Sequence, residues 1–154
     1  MRAMTTTTRT TTADIHALRD ALTGALDRFR DDAEGALAAL LPLYDEAVRF
    51  RDPLQTLEGR DAFAAMNRRL LARSRSIAFD VSSSLVEGDR IALAWRMDIA
   101  WKVGPAMSVE GMTHLRVTDG KIVDHRDYWD LLGAVADAVP LAGPVWRAIA
   151  ARFG

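Results

Sequence analysis

The chain has 154 residues, of which 49% are hydrophobic and 27% charged, and its formal net charge is −1 at pH 7. This length suits one domain with a buried core. The near-zero charge gives no sign of a basic nucleic-acid surface. Because the chain has no cysteine, disulfides, thiolate metal sites and cysteine nucleophiles are excluded. No apolar stretch approaches the length that crosses a bilayer, and we expect a cytoplasmic protein.

The first half of the chain is predicted to be mainly helical. A threonine-rich lead-in over residues 1–12 is expected to be disordered, and Thr11 or Thr12 is a plausible helix cap. Apolar residues then recur at helical spacing until a short two-fold pattern stops at Asp52-Pro53. In chain order, the predicted elements are helices over 13–30 and 32–41, a strand over 47–51, a loop over 54–59 and a helix over 60–75.

The second half changes to a two-fold period, which is typical of strands. Turn residues such as Glu87-Gly88-Asp89 and Asp119-Gly120 separate the strands, so the pattern predicts an antiparallel meander. The predicted strands cover 76–86, 90–102, 107–117 and 122–129. An apolar helical tail follows over 131–154. Helices first and an antiparallel sheet second indicate an α+β domain over 13–130, with the tail as its extension.

Charged residues alternate with apolar ones on the strand over 90–102. Trp95 and Met97 point to one face, and Arg96 and Asp98 point to the other. Alternation alone favours a buried apolar row and a surface Arg–Asp pair on the opposite face. The small alanines that flank the charged pair leave open a second interpretation, in which this face is a pocket wall.

Two further carboxylates stand near the ends of strands. Asp127 lies on the last strand with His125 and Trp129 on the same face. Asp52 precedes Pro53, and the proline holds it in an extended conformation. Taken alone, each of these aspartates is typical of a strand end or a turn. The histidines lack metal-ligand spacing, so we expect no metal.

The order of elements and two segments, Asp52-Pro53 and Arg126-Asp127-Tyr128-Trp129-Asp130, resemble the nuclear transport factor 2-like superfamily. This superfamily includes SnoaL-like cyclases, ketosteroid isomerase and limonene epoxide hydrolase. The resemblance covers about residues 15–130. It implies a cone-shaped curved antiparallel sheet packed on N-terminal helices around one pocket. It implies less about activity, because the fold hosts many reactions.

The motifs are most similar to those of limonene epoxide hydrolase. That family carries Arg-x-Asp on one strand, which corresponds to Arg96-Met97-Asp98, and Arg-Asp-Tyr-Phe-Asp one hairpin later. Carried over, Asp127 is the base that activates water, Asp98 the acid that protonates the epoxide oxygen, and Arg96 the bridge between them. The resemblance therefore predicts that Arg96 and Asp98 face inward and that the row with Trp95 faces the convex side.

The chain departs from these relatives at several positions. Phe50 and Asp52 stand where limonene epoxide hydrolase has a water-binding tyrosine and asparagine. Asp52 also matches the position of the proton-shuttling base in ketosteroid isomerase, whereas the place of the isomerase oxyanion-hole acid falls on Thr113. We expect Phe50, Thr113, His125 and Trp129 to contact substrate.

Three functions remain open from the sequence. The first is an enzyme that acts on a small lipophilic molecule by acid–base chemistry, most like epoxide hydrolysis. The second is a non-catalytic ligand-binding or dimerisation module. The third is a SnoaL-like cyclase or isomerase with Asp52 as base. We expect no cofactor, no nucleic-acid partner, and a homodimer through the convex sheet face.

Overall fold

The fold was analysed in a computed structural model, which describes residues 11–138 and residue 151. Helices and strands succeed one another in the order expected of an α+β domain. The helices are α1 (Thr12–Asp27), α2 (Ala33–Leu40), α3 (Arg60–Arg73) and α4 (Leu131–Ala138), with short 3-10 turns after α1 and α2. The strands are β1 (Tyr44–Arg51), β2 (Thr56–Glu58), β3 (Ser74–Glu87), β4 (Arg90–Trp101), β5 (Met107–Thr118) and β6 (Lys121–Trp129).

Helix α1 begins with a complete capping box. The Thr11 hydroxyl accepts a hydrogen bond from the Asp14 amide at 3.2 Å, and the Asp14 carboxylate accepts one from the Thr11 amide at 2.8 Å. The Thr11 hydroxyl also donates to the Asp14 carboxylate at 2.7 Å. This bond, together with the one from the Thr11 amide, lowers the pKa of Asp14 because both favour its charged form. The buried face of α1 carries Ile15, Leu18 and Leu22. The helix packs with this face against the sheet, mainly on β3.

The six strands form one curved, open sheet in the order β2-β1-β6-β5-β4-β3. The predicted meander β3-β4-β5-β6 is antiparallel throughout. Strand β1 joins the free edge of β6 in parallel, with Phe50 opposite His125 and Arg51 opposite Arg126. The ends of β1 and β6 therefore lie side by side at the same end of the sheet, which brings the residues that follow them together.

Most element predictions are confirmed, and the differences have local causes. The three-residue strand β2 falls in the predicted loop, because its pairing with Arg49–Arg51 depends on a tertiary partner. Strand β1 starts at Tyr44 rather than at residue 47. Residues 1–10, 139–150 and 152–154 lie outside the described residues, so the disordered lead-in and most of the helical tail stay predictions. No helix of the described ranges is long and apolar enough to cross a membrane.

The inward orientation predicted for Arg96 and Asp98 is wrong. Ile91, Leu93 and Ile99 are buried against the helices, and Trp95 is 7% exposed. Strand parity then turns Arg96 and Asp98 to the outer face, where their side chains are 50% and 49% exposed. Burial of the apolar row outweighs the motif, since large aliphatic and aromatic side chains gain most from leaving water.

Candidate functional site

A cavity of about 320 Å³ lies between the inner face of the sheet and the helices. Its wall is mostly apolar, with side chains from α1 and α3 and from the inward rows of β4 and β5. The polar residues in the wall are Tyr44, Asp52, Gln55, Asn67, Thr113, His125 and Asp127. A largely apolar cavity with a few converging polar groups is typical of a small-molecule site.

Asp127 is the carboxylate at the centre of the polar groups. Its Oδ1 atom lies 2.8 Å from His125 Nε2 and 2.5 Å from the Thr113 hydroxyl. Both partners lie on the inner face with Asp127. His125 is two residues away on β6, and Thr113 is the cross-strand partner of Asp127 on β5. The Oδ2 atom has no protein hydrogen-bond partner within the described part of the chain. One oxygen is thus fixed in place while the other stays available.

His125 connects this carboxylate to a buried tyrosine. Its Nδ1 lies 2.8 Å from the Tyr44 hydroxyl, on the side of the ring opposite Asp127. We assign the tyrosine hydroxyl as the donor to Nδ1, which leaves the proton of the neutral imidazole on Nε2 for Asp127. Phe50 and Phe63 pack against the imidazole at centroid distances of 4.9 and 5.7 Å. The ring is therefore held by packing as well as by hydrogen bonds.

The Tyr44 hydroxyl stays protonated because of its surroundings. Burial raises the pKa of Tyr44 well above its ordinary value of 10.0, and the negative charge of Asp127 raises the pKa further. A neutral tyrosine has an O–H to give. This direction of the pKa shift agrees with Tyr44 as the donor to His125.

Trp95 completes the network on the other side of Asp127. Its indole Nε1 donates to the Thr113 hydroxyl oxygen at 2.8 Å, which frees the hydroxyl proton for Asp127. The hydrogen-bonded series therefore runs Tyr44–His125–Asp127–Thr113–Trp95, from β1 across β6 and β5 to β4. We call this series the polar relay. It directs two donors, His125 and Thr113, toward one central carboxylate, and Tyr44 and Trp95 in turn hold these two donors.

Asp52 lines the same cavity but is engaged differently. Its Oδ1 accepts hydrogen bonds from the backbone amides of Leu54 and Gln55 at 2.7 and 2.8 Å. Its Oδ2 lies 3.4 Å from the Gln55 side-chain amide. This carboxylate therefore stabilises the turn between β1 and β2, as the sequence pattern of a turn aspartate indicates.

Arg96 and Asp98 do not reach the cavity. The Arg96 guanidinium lies 3.5 Å from Asp98 and 4.0 Å from Asp80, and Asp98 also accepts a hydrogen bond from Ser108 at 2.6 Å. These residues form a surface ion-pair group on the outer face. The predicted inward unit of Asp98, Arg96 and Asp127 is thus not assembled.

The four residues expected to contact substrate all lie in the cavity wall: Phe50, Thr113, His125 and Trp129. Their role in binding stays a prediction. Sequence analysis missed Tyr44, which was placed before the first strand, and gave Trp95 the wrong face. The signal for Trp95 was present, since it alternates with Leu93 and Ile99 in one apolar row. The shared parity of Tyr44, Val48 and Phe50 was the signal for Tyr44.

The helices, the curved sheet and the enclosed cavity define the nuclear transport factor 2-like class of domain. Within this class, the family model of the SnoaL-like domain matches residues 23–125. The chain belongs to the SnoaL-like domain family. No curated protein sequence matches the chain.

Solved structures support the same fold. An LEH-like epoxide hydrolase of M. tuberculosis is similar with a TM-score of 0.67 and 14% identity, over 89% of this chain and 96% of that one. A protein of Catenulispora acidiphila with a ketosteroid isomerase-like fold, in complex with trimethylamine, has a TM-score of 0.66 and 19% identity. The match covers 79% of this chain and 91% of that one. A putative SnoaL-like polyketide cyclase of Jannaschia has a TM-score of 0.63 and 20% identity. The match covers 77% of this chain and 92% of that one. At these identities the likeness establishes the fold.

Proposed function

We propose that this protein is a small-molecule enzyme that moves a proton on a lipophilic carbonyl compound, with Asp127 as the general base. The observation that carries this proposal is the arrangement of the Asp127 carboxylate in an apolar cavity. His125 and Thr113 hold its Oδ1, and no protein group of the described residues occupies its Oδ2. The family membership and the likeness to a putative polyketide cyclase support chemistry of this kind.

In the proposed reaction, Asp127 removes a proton from a carbon next to the carbonyl group. The C–H electron pair moves into a carbon–carbon double bond, and the carbonyl oxygen takes the negative charge. Protonated Asp127 then returns the proton to a different carbon. Alternatively, the enolate carbon attacks a second carbonyl carbon in the same molecule, the C=O π electrons move to that oxygen, and protonated Asp127 gives its proton to the resulting alkoxide. One carboxylate serves both proton steps, so the reaction needs no second acid.

His125 and Thr113 act on the orientation of Asp127. Each donates to Oδ1, so the carboxylate cannot rotate without losing a hydrogen bond. A base that is already in position avoids the entropy cost of ordering it in the transition state. Tyr44 and Trp95 extend this effect, because they fix the two donors in turn.

Epoxide hydrolysis is a second candidate, favoured by the motif around Asp127 and by the likeness to an LEH-like epoxide hydrolase. Asp127 would take a proton from water, the oxygen would attack an epoxide carbon, and the broken C–O bond would leave an oxygen that needs a proton. Asp52 is the other carboxylate in the cavity wall. It already accepts two backbone hydrogen bonds, and for this reason we rank hydrolysis second.

The test uses a panel of cyclic and aliphatic ketones in deuterated buffer, with proton exchange next to the carbonyl followed by NMR. We expect Asp127→Asn to lower the exchange rate about 10²- to 10⁴-fold, the usual contribution of a general base. Asp52→Asn and Asp98→Asn are the matched controls and should stay within about threefold of wild type, because neither residue directs a free carboxylate oxygen at the substrate. Exchange that depends on Asp52 instead would make Asp52 the base.

The same variants are incubated with terpene and fatty epoxides, and diol formation is measured by mass spectrometry. Diols that depend on Asp127 would establish hydrolysis in place of proton movement. Ligand retained by the purified protein, with no turnover in either panel, would replace both proposals with a non-catalytic binding module.

We also propose a homodimer through the outer face of the sheet. The apolar residues on this face are not Trp95 and Met97, which line the cavity. They are Leu85 on β3, which is 72% exposed, and Met112 on β5, which is 54% exposed. Ala92 and Ala94 lie between them on β4. We call these four residues the outer patch.

A further inference from the structure

We propose that a second pocket beside the cavity binds the carboxylate of an amphipathic ligand, with Arg51 and Arg126 as its anchors. This pocket has a volume of about 360 Å³ and lies where β2, β1 and β6 meet. Its wall consists of Arg51, Asp52, Pro53, Thr56, Arg126, Asp127, Tyr128 and Trp129. We call it the edge pocket. That its ligand is also the substrate rests on the proposed function.

Two guanidinium groups come together in the edge pocket because of the strand register. Arg51 and Arg126 are direct neighbours in the parallel pair of β1 and β6, and neighbouring strands lie about 4.8 Å apart. Like charges carried on neighbouring positions of adjacent strands repel one another. An anion placed between them would relieve this repulsion.

The hydrogen-bonding capacity of both arginines is not used up. Arg51 Nη2 pairs with Asp124 at 3.2 Å, but Arg51 Nε is buried and has no hydrogen-bond partner. The Arg126 guanidinium lies 4.8 Å from the centre of the Tyr128 ring. Within the described residues it forms no ion pair with a carboxylate. A planar carboxylate matches the donor geometry of guanidinium groups.

The acidic residues of the wall do not satisfy these donors. Asp52 accepts from the amides of Leu54 and Gln55, and Asp127 accepts from His125 and Thr113. Their hydrogen bonds are directed to the turn and to the polar relay. Asp127 keeps a free Oδ2 in this wall, so an anion would bind at the two guanidinium groups, and the apolar part of the ligand would lie next to Asp127.

The edge pocket and the apolar cavity share part of their walls. Asp52, Asp127 and Trp129 line both spaces. A molecule with its carboxylate on the two arginines and its apolar body in the cavity would pass beside Asp127. The structure thus points to a lipophilic carboxylic acid as ligand class, and to Arg51 and Arg126 as specificity-determining residues.

The probes are decanoate, decanol and decylamine, which share one apolar chain and differ in head-group charge. Isothermal titration calorimetry at low salt should give decanoate an affinity at least about tenfold above that of decanol, since hydrogen bonds to charged groups contribute on this scale. Decylamine should bind more weakly than decanol. Absence of decanoate binding, or equal affinity for decanoate and decanol, would overturn the proposal.

Variants separate the edge pocket from general surface charge. Arg126→Gln should remove most of the preference for decanoate, and Arg126→Lys should keep part of it because the charge remains. Arg96→Gln is the control, since Arg96 is likewise an exposed arginine in a strand but lies outside both pockets. If Arg126→Gln and Arg96→Gln lost the preference for decanoate over decanol to the same extent, the result would contradict the proposed site.

The experiments distinguish failure of the proposed function from failure of the edge-pocket proposal. Asp127→Asn should bind decanoate at least as tightly as wild type, because it removes a negative charge from the wall beside the ligand. If decanoate binds through Arg126 while no ketone exchanges its protons, the edge pocket stands and the enzyme proposal falls. If exchange depends on Asp127 but decanoate binds no better than decanol, only the edge pocket is overturned.

Discussion

A single buried hydroxyl, that of Tyr44, couples the polar relay to pH. Burial and the nearby Asp127 raise the pKa of Tyr44 well above 10.0. Below about pH 10, both the folded and the unfolded chain keep the proton of the Tyr44 hydroxyl, so this group does not make the free energy of unfolding vary with pH. Above that pH the unfolded chain loses the proton and the folded chain retains it. The stability of the fold must then decrease as pH rises toward the raised pKa.

Tyr44→Phe should therefore flatten the alkaline part of the stability profile. We expect the free energy of unfolding of wild type to fall between about pH 9.5 and about pH 11 by up to about 1.4 kcal/mol per pH unit more than that of Tyr44→Phe. Urea unfolding at a series of pH values measures this difference. Tyr128→Phe is the matched control, because Tyr128 is 51% exposed and should behave as wild type. Parallel profiles for wild type and Tyr44→Phe would disprove the raised pKa.

Thr113 is the residue through which Trp95 and Asp127 are joined. Thr113→Val has nearly the same shape but neither accepts from Trp95 Nε1 nor donates to Asp127. Leaving buried polar groups without partners costs about 1–3 kcal/mol, so we expect a loss of that size in the free energy of unfolding. Thr113→Ser restores the hydroxyl and should recover most of it. Equal stability of the valine and serine variants, measured by urea unfolding, would count against the relay.

At the scale of the element, β5 carries a glycine because β4 carries a large indole. A Cβ atom built on Gly111 would lie 2.6 Å from the Trp95 ring and 2.9 Å from the Tyr128 carbonyl oxygen. The Trp95 side chain thus packs directly over the backbone of β5 and reaches Thr113 from there. The small residue and the position of the tryptophan depend on one another.

Gly111→Ala should displace the Trp95 ring and destabilise the fold by about 1–3 kcal/mol, the usual cost of overpacking. The matched control is Gly24→Ala in α1, where an added Cβ meets no atom within 4 Å. That variant should gain about 0.5–1 kcal/mol, because alanine restricts the unfolded chain more than glycine does. Thermal unfolding followed by tryptophan fluorescence reports both effects. A Gly111→Ala variant as stable as wild type would show that the Trp95 ring has room to move.

The elements themselves were largely predictable because their signals are local. The period of the apolar residues gave α1, α3 and the meander, and the turn residues gave its reversals. Strand β2 was not predictable in this way, since three residues carry no period and their pairing depends on β1. The face of β4 was predictable from alternation alone. The motif similarity reversed it, because Arg96-Met97-Asp98 imitates a catalytic pattern on strand residues of the opposite parity.

For the whole molecule, the candidate site was predictable in part. Asp127 and His125 stand two residues apart on one strand, so their common face follows from the sequence. The link to Tyr44 spans 81 residues and arises from the parallel pairing of β1 and β6, which no local pattern encodes. The edge pocket has the same origin, because the neighbourhood of Arg51 and Arg126 exists only once the two strands pair. Sequence periodicity therefore predicts which residues share one face of a strand, whereas the pairing of distant strands decides which of these faces form a site.

The two proposals that involve the exterior use neighbouring parts of the sheet, because Met112 of the outer patch is the cross-strand partner of Tyr128 in the wall of the edge pocket. The edge pocket lies at β2, β1 and β6. The outer patch of Leu85, Ala92, Ala94 and Met112 lies on β3, β4 and β5. A dimer formed through the outer patch would therefore border the edge pocket on the Met112 side. Apolar side chains exposed together on a sheet face mark an interaction surface more often than isolated ones do.

Met112→Glu should convert the proposed dimer into a monomer, because a charge within a contact face must lose its water without gaining a partner. Sedimentation equilibrium over a range of protein concentrations measures the change, and we expect the dimer dissociation constant to rise at least about tenfold, which corresponds to about 1.4 kcal/mol. Val103→Glu is the control, since Val103 is 92% exposed in the turn between β4 and β5 and away from the patch. A wild-type protein that sediments as a monomer at every concentration, or equal dimerisation of the two variants, would exclude the outer patch as the interface.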